Sequence, residues 1–346
     1  MSIMKNVVTV KEVAKRSDVS PATVSRVINN AENVSPAIRK RVQESIQILG
    51  YFPNHAARSL VKRRAGSIAV LMRKLHSPYY IDLIQGFEEA AFASKLNVVF
   101  CSLGNDQEYR DRYIQYLTNG VSDAIILYGT SFSDQPIIEH LSSVRFPFLL
   151  IENNFEMPVN QILINNLDGA CTAMEYLINK GHHRIAHFMG DPNKKVHLDR
   201  FNGYTQTMQK YGFPIAPDDI RNIYTTYDAA FSAAAEMMQR PVQSRPTAIF
   251  ATNDQIAAKA ISGIQSRGFS VPHDISVMGF DNQRIYSDGY NGPRITSIRQ
   301  PLYNIGRDSI HILTDILADK VSTPFTKNYE LELVELETVC PPPSIV

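Results

Sequence analysis

"VSPATVSRVINN", residues 19–30, places a short amphipathic helix near the start of a 346-residue chain. Ser20 and Pro21 open it: a serine hydroxyl can cap the first helix amides, and proline at the first helical position gives up no hydrogen bond. Val24, Val27 and Ile28 fall on one side, Thr23, Ser25 and Arg26 on the other. A core helix is longer and more apolar. A helix this short with a polar outer side reads as one built to be laid against something outside the protein.

The flanks repeat the device. Thr9-Val10-Lys11-Glu12 is a capping box, followed by an apolar face of Val10, Val13 and Ala14 that ends near Ser17-Asp18. Ser35-Pro36 opens a third helix with Ile38, Val42, Ile46 and Leu49 on one face, and Gly50 is placed to end it. The short interval around Asp18-Val19 is helix-turn-helix spacing, in which the second helix enters the major groove of DNA. Ser20, Thr23 and Ser25 are short donors suited to phosphate oxygens, and Arg26 can form a bidentate contact to guanine. Ala22 offers a methyl group that can pack on a thymine methyl.

Charge agrees. Residues 1–64 hold twelve Lys/Arg against four Asp/Glu, a net of +8, while the rest of the chain carries −7. A basic head on a mildly acidic body is the footprint of a head that meets nucleic acid. The 44% hydrophobic content is ample for a core in more than one domain. No apolar run reaches the length of a membrane span, and the N-terminal "MSIMKNVVTVKEV" lacks the pattern of a secretory signal. The three cysteines, Cys101, Cys171 and Cys340, are scattered and form no CxxC, which points away from a disulfide framework and a cysteine-rich zinc site. These features lead us to expect a soluble, cytoplasmic protein that makes no contact with membrane.

"TVKEVAKRSDVSPATVSRVINN" and the following "VSPAIRKRVQESIQILGYFPNHAARSL" resemble the DNA-binding head of the lactose-repressor/galactose-repressor family of bacterial transcription regulators. The resemblance is dense over residues 8–62 and looser to about 339. It implies that Thr9, Ser20, Thr23, Ser25, Asn29, Tyr51 and Asn54 hold phosphates and that Pro21, Ala22 and Arg26 sit where the family reads bases. "PNHAARSLVKRR", residues 53–64, is alone too short to be a stable helix. The resemblance marks it as a hinge helix that orders on DNA, with Arg58 in the DNA-binding set and Leu60 wedged into the minor groove. Insertion at a central step requires a homodimer on a near-palindromic operator of double-stranded DNA. The expected organisation is a helix-turn-helix domain over 1–52, a hinge and linker over 53–65, and an effector-binding and dimerisation body over 66–346.

In that body, apolar runs at 67–72, 97–103, 123–128, 146–151, 184–189, 247–252 and 275–280 read as buried strands. Helical stretches at 80–94, 168–180, 200–211, 254–267 and 306–319 alternate with them. Such alternation implies an α/β body of doubly wound parallel sheets, and its length implies two lobes with a cleft between them. No Walker A loop, strand-borne GxGxxG, HExxH or GxSxG motif occurs, so no cofactor and no catalysis are expected. "GHHRIAHF", 181–188, reads as a turn into a strand and not as a metal site.

The body resembles the periplasmic sugar-binding fold that the same family carries behind its DNA head, with the effector between the lobes. Ligands of open α/β sheets sit beyond the carboxyl ends of strands. By that resemblance Tyr79, Tyr80, Glu152, Arg200, Asn253, Asp281 and Gln300 line the effector site. The tyrosines suit stacking on a ring, Arg200 forks onto hydroxyls or carboxylates, and Asp281 accepts from two hydroxyls. Glu152 stands where several sugar-binding relatives have Asp. The set suits a small polyhydroxylated, sugar-like molecule, with nucleobase and phosphosugar left open. Replacing Arg200 with Ala is expected to abolish the effector response and spare DNA affinity. The function expected is an effector-controlled repressor that is not an enzyme. Two other readings stay open: the same DNA-binding role under a protein corepressor, and a solute-binding protein. "ELVELETVCPPPSIV" ends the chain in a strand and prolines, without the leucine heptads of tetrameric relatives.

Overall fold

The computed structural model of the chain describes residues 8–51, 64–73, 75, 77–102, 107–130, 132–152, 155, 157–223, 228–283 and 290–343. Residues 53–63 of the expected hinge and linker, with Asn54, Arg58 and Leu60, lie outside them. The chain divides into two compact units, 1–65 and 66–346. No helix among the described residues is long and apolar enough to cross a membrane.

The first unit holds α1 (Val10–Arg16), α2 (Pro21–Ile28) and α3 (Pro36–Leu49). Each starts and stops where side-chain chemistry dictates. The Ser20 hydroxyl accepts from the Thr23 amide at 3.2 Å and Ser35 from the Ile38 amide at 3.4 Å. Gly50 closes α3 in the left-handed region at φ 60°, where a residue without a β-carbon carries no steric cost. Val13, Ala14, Val24, Val27 and Val42 form the buried core.

In chain order the second unit begins with β1 (Ser67–Met72), α4 (Ile81–Ala93), β2 (Asn97–Ser102), α5 (Gln107–Tyr116), β3 (Ala124–Tyr128), α6 (Gln135–Ser143), β4 (Phe148–Ile151) and β5 (Gln161–Ile164). It continues with α7 (Asn166–Asn179), β6 (Ile185–Met189), α8 (Lys195–Lys210), β7 (Ile220–Asn222), α9 (Asp228–Met237), β8 (Ala248–Ala251), α10 (Asp254–Gln265) and β9 (Ser276–Met278). The last elements are β10 (Ser297–Arg299), α11 (Leu302–Leu317), β11 (Thr326–Tyr329) and β12 (Glu332–Val334). One lobe is built on the sheet β11-β5-β4-β3-β1-β2, the other on β7-β6-β8-β9, and every pairing within them is parallel. A small antiparallel pair, β10-β12, is an addition to the expected architecture. All six residues of β1 are buried, as befits a parallel strand covered by helices on both faces.

The seven expected strands are present, the first over its full range and the others with trimmed ends, and Leu103 lies outside the described residues. Strands β5, β7, β10 and β11 and helices α5, α6 and α9 were not among the sequence expectations. The helix expected to start at Arg200 starts at Lys195, which puts Arg200 in its second turn. The chain passes between the lobes three times, near Ile164–Asn166, Gln300–Leu302 and Tyr329–Glu332.

Helices α4 and α11 cross with glycine facing backbone. A β-carbon on Gly306 would lie 2.2 Å from the Leu83 carbonyl oxygen, and one on Gly86 2.2 Å from that of Tyr303. Backbone cannot yield as a side chain tip can, so Gly306→Ala is expected to destabilise the body by about 3 kcal/mol, at the upper end for overpacking. Urea unfolding measures it; a change within ~0.5 kcal/mol would show that the helices can separate at little cost.

Candidate nucleic-acid interface and inter-lobe site

On the head, the polar side of α2 stands in solvent while Val24 and Val27 are buried. Pro21, Ala22, Ser25 and Arg26 are all exposed. Several expected phosphate ligands also hold the head's own backbone. Glu12 accepts from the amide and hydroxyl of Thr9, at 2.6 and 2.9 Å, which lowers its carboxyl pKa. Ser20 caps α2 and shares a 3.0 Å hydrogen bond with the Thr23 hydroxyl. Asn29 donates to the Ser25 carbonyl at 2.9 Å, closing the helix. Tyr51 is half-buried against the head core. Arg39, on α3, was not singled out in the sequence. It donates to the Ala31 carbonyl at 2.6 Å and to Asn30 at 3.3 Å, pinning the turn that leaves α2.

Between the lobes, Arg200 is the hub. Its side chain is nearly buried, and its Nε donates to Asn166 Oδ1 at 2.9 Å, Nη1 to the Thr252 carbonyl at 2.6 Å, and Nη2 to Asp281 Oδ1 at 2.8 Å. The guanidinium lies 3.7 Å above the Phe280 ring, a cation–π contact strengthened by exclusion of water. Asp281 follows β9 at a left-handed φ of 93°. Besides Arg200 it accepts from Gln300 Nε2 at 2.6 Å and Gln283 Nε2 at 3.2 Å. Gln300 in turn accepts from the Tyr79 hydroxyl at 2.9 Å, and Tyr79 meets Tyr128 at 2.8 Å. One hydrogen-bonded line therefore runs from Arg200 in one lobe to Tyr128 in the other.

Glu152 directly follows β4, in the left-handed region at φ 57°. Burial, partly offset by Arg200 and reinforced by Asp281, pushes its carboxyl up to about 7. Tyr79, Tyr80 and Tyr128 meet edge to face or tilted, with ring centroids 5.1–6.4 Å apart. Burial first, then Glu152, pushes the Tyr79 and Tyr128 phenols well above the ordinary range. Asn253 stands apart from this group: its Oδ1 accepts from the Ile256 amide at 2.9 Å and caps α10.

Sequence reading missed Asn166, Tyr128, Gln283 and Asp254. Tyr128 ends the recognised run "DAIILY", so its strand-end position was an available signal. Asp254 is buried and accepts from Ser297 at 2.7 Å and from the Gln283 amide at 2.6 Å, clamping the strained turn that carries Asp281. Burial, then Asp281, pushes its carboxyl well above the ordinary range. The histidines serve the fold. His182 bridges Thr247 and the Cys340 carbonyl, and His187 faces the Phe250 carbonyl at 3.0 Å.

Two cavities flank the line. One of 440 Å³ is bordered by Tyr79, Asp82, Asp281, Arg294, Arg299 and Gln300. The other, of 860 Å³, is bordered by Glu152, Phe155, Asn166, Lys195, Asp199 and Glu330. Both lie in the size range of small-molecule sites.

Residues 9–54 match the family described as bacterial regulatory proteins, lacI family, and residues 65–330 match the periplasmic binding proteins and sugar binding domain of the LacI family. Among curated proteins, the chain is 32% identical over 314 residues to catabolite control protein A of Priestia megaterium, covering 89% of this chain and 92% of that one. It is 30% identical over 309 residues to the transcriptional repressor CytR of Escherichia coli, covering 89% of each. Among solved structures, the Lac repressor dimer bound to operator and the anti-inducer ONPF superposes with a TM-score of 0.84 at 25% identity, over 96% of this chain and 99% of that one. A complex of the transcriptional regulator CelR with cellobiose gives 0.71 at 26% identity, with the same coverage.

Proposed function

The chain belongs to the LacI family of bacterial regulatory proteins, and from that premise we propose that it binds near-palindromic operators as a homodimer under the control of a small sugar-like molecule held between its lobes. The family is one of DNA-binding transcription regulators, not enzymes, and two of the proteins named above, CytR and the Lac repressor, are repressors. In this reading Arg26 reads a base, with Pro21 and Ala22 beside it, and Thr9, Ser20, Thr23, Ser25, Asn29, Tyr51 and Asn54 position the phosphates. Tyr79, Tyr80, Glu152, Arg200, Asn253, Asp281 and Gln300 form the effector site.

The observation that carries the effector reading is the placement of the Arg200–Asp281 pair. Asn166, at one inter-lobe passage, holds Arg200, and Gln300, at another, holds Asp281. A ligand that touches the pair therefore bears on the segments that pass between the lobes. Differential contact with two lobe arrangements is what allows a ligand to shift between them.

The test is selection of duplexes from a random pool by the full-length protein, followed by affinity measurements on the selected operator. Wild type is expected to enrich a near-palindrome; enrichment of no sequence overturns the operator reading. Arg26→Ala should lose about 1–3 kcal/mol on that operator and relax specificity at one symmetric pair of positions. A uniform loss on every sequence would assign Arg26 to phosphate instead.

A further inference from the structure

The helix that carries Arg26 has little of its own to hold it in shape. α2 is eight residues long, below the length at which an isolated helix stays formed in water. Val24 and Val27 are its buried residues, and Arg26 stands in its last turn, the end from which a short helix frays.

That end closes in a Schellman pattern. The Asn30 amide donates to the Val27 carbonyl at 3.1 Å and the Ala31 amide to the Arg26 carbonyl at 2.9 Å. The pattern needs one residue in the left-handed region. Here it is Asn30, at φ 54°, where glycine would sit at lower cost. Arg39, half-buried on α3, reaches both residues of the closure. Its Nη2 donates to the Ala31 carbonyl at 2.6 Å and its Nη1 to Asn30 Oδ1 at 3.3 Å. Ala31 is thus held on both sides, its amide by the Arg26 carbonyl and its carbonyl by the Arg39 guanidinium. The charge also lies at the carbonyl end of α2, where a cation is favoured.

Resting on the base-reading role given to Arg26 above, we infer that Arg39 is a positioning residue for sequence recognition. From α3 it fixes the turn after α2, and through that turn the backbone of Arg26, without reading a base itself. A bidentate contact to a base edge tolerates little error in the backbone that carries it. A planar fork suits the task, because the two acceptors lie on one turn and take one nitrogen each.

The test uses the full chain and two duplexes. One is the operator selected by wild type. The other carries symmetric replacements at the base pair where Arg26→Ala relaxes specificity. The readout is the ratio of the two affinities for wild type, Arg26→Ala, Arg39→Met, Arg39→Lys and the double variant Arg26→Ala/Arg39→Met. Both affinities come from one preparation, so the fraction of unfolded head cancels and a loss of stability alone leaves the ratio where it was.

Arg39→Met is expected to lower the ratio on the order of tenfold, within what a bidentate contact to one base supplies. Arg39→Lys keeps the charge but has one nitrogen where the fork had two, so it should bind random duplex as wild type does without recovering the ratio. It carries the same comparison if the methionine variant yields no folded head. The double variant should match Arg26→Ala alone, because no reader is left to position. An unchanged ratio in Arg39→Met, with Arg26→Ala relaxed as expected, overturns the inference and leaves the reading of Arg26 standing. An equal loss on both duplexes, with a salt slope lower by about one, makes Arg39 a phosphate ligand and overturns it as well. So do additive losses in the double variant, which would have Arg39 discriminate by itself, and full recovery of the ratio by lysine, which would leave the fork no role. If Arg26→Ala relaxes no base preference, the base-reading role and this inference fall together.

Discussion

In urea titrations, Arg200→Ala is expected to lose about 3–5 kcal/mol of stability with no effector present, the range for breaking a buried ion pair from one side. The reason is what remains behind. Asp281 keeps only the amides of Gln300 and Gln283. Asn166 Oδ1 and the Thr252 carbonyl lose the donors they hold at 2.9 and 2.6 Å. Phe280 loses the cation above its ring. Glu152 and Asp254, both partly relieved by Arg200, are left buried without it. An unpaired buried carboxylate has two escapes, a proton or local opening, and each draws on the stability of the native state. Arg200→Lys separates charge from geometry. Its ammonium retains the attraction, but its three N–H donors share one nitrogen that cannot reach acceptors now bound by three separate nitrogens, so the expected loss is about half. A loss below ~1 kcal/mol for the alanine variant would mean that water reaches the pair.

That expectation also changes the reading of Arg200. The family resemblance implies a fork onto ligand hydroxyls or carboxylates, whose removal abolishes the effector response and spares DNA affinity. In the fold, the same fork is engaged by protein. The guanidinium sets the direction of the Asp281 carboxylate, which borders the smaller of the two cavities. Effector measurements on arginine variants therefore need a matched stability measurement.

The legibility of the molecule follows the range of the interactions concerned. The head was readable because its signals are local. Ser20, Ser35, Pro21, Pro36 and Gly50 act within one helical turn, and the structure places them at the helix ends. The buried strands were readable for the same reason: runs such as "SIAVLM" and "DAIILY" are apolar throughout. Strands β7 and β10, three residues each and paired only through distant chain, carry no such pattern. The same limit applies in the cleft. Asn166 is the first residue of a helix capped by its neighbour Asn165, and only the approach of Arg200, 34 residues on, gives its side-chain oxygen a partner. Asp254 reads as an ordinary acidic first-turn residue until Gln283 and Ser297 arrive from later in the chain. Asn253, which the resemblance puts in the effector site, also caps a helix, through a local bond that the sequence Asn253-Asp254 already allowed.

For the hinge, Leu60→Ala is expected to weaken binding to the selected operator roughly 10–100-fold, while the unfolding midpoint of the body stays unchanged. An apolar wedge separates two base steps at a cost of a few kcal/mol, which is recovered because bent DNA meets more protein surface. Alanine is too short to hold the steps apart, so the bend and its contacts are lost together. The charge of the segment is untouched: Arg58, Lys62, Arg63 and Arg64 remain. Affinity for random duplex should therefore stay where it was, because non-specific binding is a phosphate effect. The slope of log affinity against log salt should also hold for the random duplex. The variant is thus expected to lose specific binding alone. An equal loss on random DNA would make the segment an electrostatic clamp, and unchanged operator affinity would remove Leu60 from the DNA-binding set. The first outcome alone supports a hinge that reads deformability, in which case the effector acts by setting how readily two such segments meet at the centre of the operator.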